Sequence, residues 1–139
     1  MNKQRLSILI ASGLGAIATF MPWVKAPIIG TISGTKGDGW ITFVLFSIAI
    51  YFALRDDKSN RIEGKSFYRV IIPTILAAII GIWKIVDFNS KMANLGNNVF
   101  ANALGASASI EFGLYLVVMA GIAVPILSFI IKDSSNREV

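Results

Sequence analysis

Residues 70–88 limit what this chain can fold into more than any other stretch, because they are apolar throughout except for Lys84 and Asp87 near one end. At about 1.5 Å of rise per residue, roughly 20 apolar residues in a helix cross a hydrocarbon layer of about 30 Å. The stretch nearly meets that length. Helical spacing puts Pro73, Ala77, Gly81, Lys84 and Phe88 on one side, so that face is expected to point into protein. Counted from Val70, Lys84 stands about 21 Å and Asp87 about 25 Å along the axis, in the outer part of a bilayer. A lysine there can reach the headgroups along its stem, and a cation suits a helix C-terminus. Asp87 has neither advantage and is expected to pair with Lys84 or with the following loop.

Composition agrees with lipid as the solvent. The chain of 139 residues is 55% hydrophobic and only 15% charged, with a mean hydropathy of +0.68, too apolar for an ordinary soluble domain. It has no cysteine and no histidine, which removes disulfides, thiol nucleophiles, imidazole bases and the commonest metal ligands. No catalytic, cofactor-binding or metal-binding residue is therefore assigned, and no enzymatic activity is expected. The net charge of +5 comes from basic residues placed between apolar runs, so lipid headgroups and not nucleic acid are the expected counter-charge.

Four spans are read, at about 6–24, 40–55, 70–88 and 111–131, forming an all-α four-transmembrane-helix bundle as a single integral membrane domain. The short basic segment 1–5 and the Ala16-Ile17-Ala18 triplet also suit a cleavable signal peptide, but the apolar run continues through Phe20, Pro22 and Trp23. A retained first span is expected. Its Ala11, Gly15 and Ala18 form one small-residue ridge and Ser12, Ala16 and Thr19 another, surfaces on which helix backbones approach closely in lipid. Trp23 and Trp40 are read as anchors at the membrane interface. Between them lies a glycine-rich segment, expected to be extended or hairpin-like, with a turn at residues 36–39. It lacks the pattern of a phosphate-binding loop.

Basic residues fix the expected orientation. With four crossings, Lys3, Arg5, Arg55, Lys58, Arg61, Lys65, Arg69, Lys132 and Arg137 lie on one side, against Lys25, Lys36 and Lys91 on the other. Both termini are therefore expected in the cytoplasm of a multi-pass cell-membrane protein. The loops at 24–40 and 89–110 would then make a small extracytoplasmic cap, the second containing an amphipathic stretch around Met92, Leu95, Val99 and Leu104. The absence of an N-x-[ST] sequon agrees with a bacterial source. Glu111 is expected at the start of the last helix, level with Lys84, where it could bridge to that lysine. Pro125 is expected to kink that helix and free a carbonyl near Gly121.

The layout resembles that of claudin-like tetraspan proteins. It departs from them in having no cysteine pair after the first span and in placing its longer loop after the third. Two functions follow as expectations. One is an interaction, accessory or scaffold component whose partners are membrane lipids and a membrane protein or further copies of itself. The other is a small transporter, channel subunit or lipid- or small-molecule-binding protein using an outer-leaflet polar crevice around Lys84, Asp87 and Glu111.

Overall fold

The structure is a computed structural model, and it describes residues 1–26, 30–55, 57, 59–94 and 108–134. Four helices dominate it: α1 (Lys3–Ala18), α2 (Gly39–Leu54), α3 (Gly64–Asn94) and α4 (Phe112–Ser134). α1 packs on α2 and α4, and α3 packs on the same two helices, closing an up-and-down ring. By length and composition α3 and α4 are apolar enough to cross a membrane. At sixteen residues each, α1 and α2 are about 24 Å long by the helical rise.

The first helix is shorter than the span read from sequence. Thr19 bonds back to Gly15 O, Phe20 and Met21 close tight turns on Ile17 and Ala18, and Pro22 has no N–H with which to continue the helix. The chain then enters β1 (Pro22–Ala26), which pairs antiparallel with β2 (Gly30–Ser33). Both fall in the segment expected to be hairpin-like. A third strand, β3 (Ser109–Ile110), pairs with the other edge of β1, giving the order β2-β1-β3. One small sheet thus joins the two loops expected to form the cap.

The third helix is longer than expected at both ends. It opens at Gly64, whose φ of 58° is a left-handed conformation suited to glycine, and runs on through Asn94. Residues 89–94, read as loop, are its last turns. Met92 belongs to that helix, whereas Leu95, Val99 and Leu104 lie outside the described residues.

Helix contacts rest on small residues. The face carrying Pro73, Ala77 and Gly81 is buried, as its spacing implies. A Cβ on Gly81 would stand 2.6 Å from Val118, one on Gly15 2.4 Å from the Phe46 ring, and one on Gly121 2.7 Å from Thr74 O. Two apolar clusters fill the interior. Ile8, Ala53, Ile62, Phe67 and Val124 stand toward the end formed by residues 55–63, and Ala18, Phe46, Leu114 and Val117 stand toward the sheet. Fully buried Gln4, Arg5, Ser12, Thr19, Thr42, Thr74 and Ser128 share that interior.

The outward faces of the helices carry many apolar side chains. Leu6, Ile10, Leu14 and Ile17 on α1, and Ile41, Val44, Ile48 and Tyr51 on α2, are exposed at helical spacing. So are Ile72, Ile75, Ile79 and Ile82 on α3, and Tyr115, Met119, Ile122 and Ile126 on α4. Exposed apolar side chains thus recur at helical spacing along all four helices.

Candidate functional site

The polar groups gather at the two ends of the bundle. At the sheet end, Trp23 sits where the β1–β2 register shifts, and its side chain turns inward instead of outward. It is 5% exposed, and its Nε1 donates to Ala18 O at 3.0 Å. The indole is therefore part of the core under the sheet and not an interface anchor. Glycine makes this possible, because a Cβ on Gly34 would stand 2.5 Å from the ring. Trp40, by contrast, is exposed and stacks edge-on with Phe20 and Phe43, as an anchor would.

Lys84, Asp87 and Glu111 do not converge. Lys84 forms an ion pair with Asp38 and places its ammonium 5.1 Å from the centre of the Trp83 ring. Asp38 precedes α2 and leaves its carboxylate unused in capping, so it can reach across to α3. The expected Lys84–Asp87 and Lys84–Glu111 bridges are thus replaced by one that fastens the start of α2 to α3. Asp87 pairs instead with Lys91 at 2.8 Å, a partner available only because the helix continues past residue 88. Glu111 immediately precedes α4 and accepts from Ser109 Oγ at 3.1 Å, while its N–H donates to Trp23 O and extends the β1–β3 ladder. The side chains of Lys84 and Asp38 are 27% and 45% exposed, so this bridge contributes at most about 1 kcal/mol.

The opposite end holds a polar clamp that sequence reasoning treated only as positive charge. Asn2 caps α1 by accepting from Gln4 N at 2.9 Å. Gln4 then spans two elements: its Nε2 donates to Ser128 O at 3.1 Å, and its Oε1 accepts from Ile62 N at 3.0 Å. Arg5, 2% exposed, donates through Nε to Asn60 O at 2.6 Å. Its Nη1 donates to Ala53 O at 2.8 Å and Arg55 O at 3.0 Å. A guanidinium thereby meets the carbonyl-rich C-terminus of α2, where a cation is favoured. One signal for this was present in the sequence. Extending the ridge of Ala18, Gly15, Ala11 and Ile8 backwards by one turn reaches Gln4, with Arg5 beside it.

Among the described residues no group of three or more carboxylates stands where it could hold a metal ion. Comparison with protein-family models, curated proteins and solved structures gives no match for this chain.

Proposed function

We propose that the protein is a four-span membrane protein acting as an interaction, accessory or scaffold component, with both termini in the cytoplasm and the three-stranded sheet outside. The observation that carries the membrane reading is the inversion of polarity: apolar side chains cover the outside of all four helices, while glutamine, arginine, serine and threonine are buried. Such an exterior favours lipid as its surroundings. α1 and α2 are short for a crossing, yet they pack beside α3 and α4 and carry the same apolar exterior, so they share one slab. Exposed aromatic residues mark its edges, with Trp40 and Trp83 at the sheet end and Tyr51 and Tyr68 at the other. From Tyr68 to Trp83 is about 22 Å along α3, and from Trp40 to Tyr51 about 17 Å along α2. A bilayer thinned around the protein accommodates that distance.

The choice of an interaction role over transport rests on the interior. Phe46 fills the space over Gly15, Val118 that over Gly81, and α4 lies directly on the α3 backbone at Gly121. These close contacts between neighbouring helices favour a packed interior. The three different pairings of Lys84, Asp87 and Glu111 also favour an interaction role over a crevice shared by them. The sheet, held to the helices through Trp23, is then the surface offered to a partner. The test is mild-detergent or nanodisc purification from the native membrane followed by native mass spectrometry. A stoichiometric protein partner, lost when residues 30–36 are replaced by a Gly-Ser linker, is the expected result. A lone chain that carries ions across proteoliposomes would refute the assignment.

A further inference from the structure

At the end opposite the sheet, a cleft of about 240 Å³ opens between the first turn of α1 and the connection leading into α3. Arg5, Asp57, Arg61 and Glu63 line it, with Ile62 and Ser66. At a liquid-water share of about 30 Å³, this is room for roughly eight waters, the size of a small polar headgroup and not of a single ion. Arg5 is buried, and all its hydrogen bonds among the described residues end on neutral carbonyl oxygens of Ala53, Arg55 and Asn60. None of them uses Nη2. Among the described residues no carboxylate pairs with Arg5, and the C-terminal dipole of α2 supplies only about half a counter-charge.

The described acids of the cleft, Asp57 and Glu63, make no bond to Arg5 and are placed otherwise. Asp57 turns its carboxylate to Ser59 N at 3.0 Å and to Asn60 Nδ2 at 3.0 Å, shaping the connection, while Glu63 is exposed at the rim. Two guanidinium groups and two carboxylates thus line one space. A simple anion would meet the carboxylates unfavourably, and a simple cation would meet the guanidiniums. A ligand carrying phosphate and ammonium a few bonds apart suits both.

We propose that this cleft holds the headgroup of a zwitterionic phospholipid of the phosphoethanolamine type, with its phosphate on Arg5 and its ammonium on Glu63. The inference rests on the membrane reading above, which puts the cleft at the depth of the cytoplasmic headgroups, at the end of the bundle marked by Tyr51 and Tyr68. A primary ammonium has three N–H donors for carboxylate acceptors. The quaternary ammonium of a choline headgroup has none, so the cleft distinguishes the two.

The test is native mass spectrometry of the full chain in detergent, titrated with phosphatidylethanolamine, phosphatidylcholine and phosphatidylglycerol of identical acyl chains. One phosphatidylethanolamine is expected to bind about tenfold more tightly than either other lipid, the scale of one charge-assisted hydrogen bond. Glu63→Gln leaves the Arg5 bonds untouched and is expected to erase most of that preference without lowering the melting temperature. Arg5→Met is expected to abolish retention but also loosens the connection, so Glu63→Gln is the deciding variant. Equal retention of all three lipids, or a preference indifferent to Glu63→Gln, overturns the proposal. Soluble phosphoethanolamine binding as tightly as the lipid also overturns it, by putting the ligand in the water phase. Recovery of the chain in the soluble fraction, seen before any lipid is added, is the separate signature of failure of the membrane reading.

Discussion

Replacing Gly121 by alanine probes the contact between α3 and α4 where it is tightest. A Cβ at that position would lie 2.7 Å from Thr74 O, 2.8 Å from Ala78 Cβ and 2.9 Å from Ala78 N. Carbon–oxygen contacts between helices normally begin at about 3.3 Å, and carbon–carbon contacts at about 3.5 Å. The overlap is therefore about 0.6 Å or more, against backbone and an alanine that have no rotamer to change. Overpacking of this kind costs about 1–3 kcal/mol. Better helix propensity returns up to about 1 kcal/mol, leaving a net loss of about 1–2 kcal/mol when the overlap, against rigid backbone, takes the upper part of that range. Pro125 sharpens the case, because it offers no N–H to the Gly121 carbonyl and this turn has fewer bonds to hold it. Gly13 is the control, since nothing lies within 4 Å of a Cβ placed there; Gly13→Ala is expected to stabilise by about 0.5–1 kcal/mol. In thermal unfolding in detergent, Gly121→Ala is expected to melt about 3–8 °C below the parent chain and Gly13→Ala a few degrees above it. A Gly121→Ala protein that melts with or above its parent would refute the packing argument.

Further expectations concern the two ends. Gln4→Leu removes the acceptor of Ile62 N, and the stranded N–H is expected to cost about 1–3 kcal/mol in the same unfolding assay. A double-mutant cycle of Lys84→Met with Asp38→Asn is expected to give a coupling of at most about 1 kcal/mol, because both side chains are partly exposed; a coupling above about 2 kcal/mol would mean a far more shielded pair. Brominated lipids are expected to quench variants retaining only Trp40 or only Trp83 strongly, and a variant retaining only Trp23 weakly, measured by steady-state fluorescence.

How far the sequence could be read depended on whether a residue's role was set locally. Helical spacing correctly put Pro73, Ala77 and Gly81 on a buried face, because a periodic small-residue stripe has few other uses in an apolar helix. The glycine-rich segment was legible as extended, and its association with the later loop followed from both being at one end. Trp23 was misread because its indole has two homes, the interface and a core with a carbonyl to bind, and the choice depends on Gly34 and Ala18 approaching it. The partners of Lys84 were misread for a related reason. Asp38 is far away in sequence, and Asp87 found Lys91 once the helix ran beyond residue 88. Gln4 and Arg5 looked like a charged flank because their backbone partners, Ser128 O and Ile62 N for Gln4 and the carbonyls of Ala53, Arg55 and Asn60 for Arg5, leave no trace in side-chain chemistry.

The central claim is that the exposed apolar faces of the bundle are covered by lipid, with the sheet and the 55–63 connection on opposite sides of the membrane. A chain without cysteine allows this to be measured directly with single cysteines at Thr31, Ser59 and Ile79, all exposed, Ile79 by 54%. Intact cells are treated with a membrane-impermeant maleimide, before and after opening the membrane. Labelling of Thr31→Cys from outside, of Ser59→Cys only after opening, and of Ile79→Cys only after denaturation is the expected result. Ready labelling of Ile79→Cys in the folded protein, or labelling of Thr31→Cys and Ser59→Cys from the same side, would contradict it.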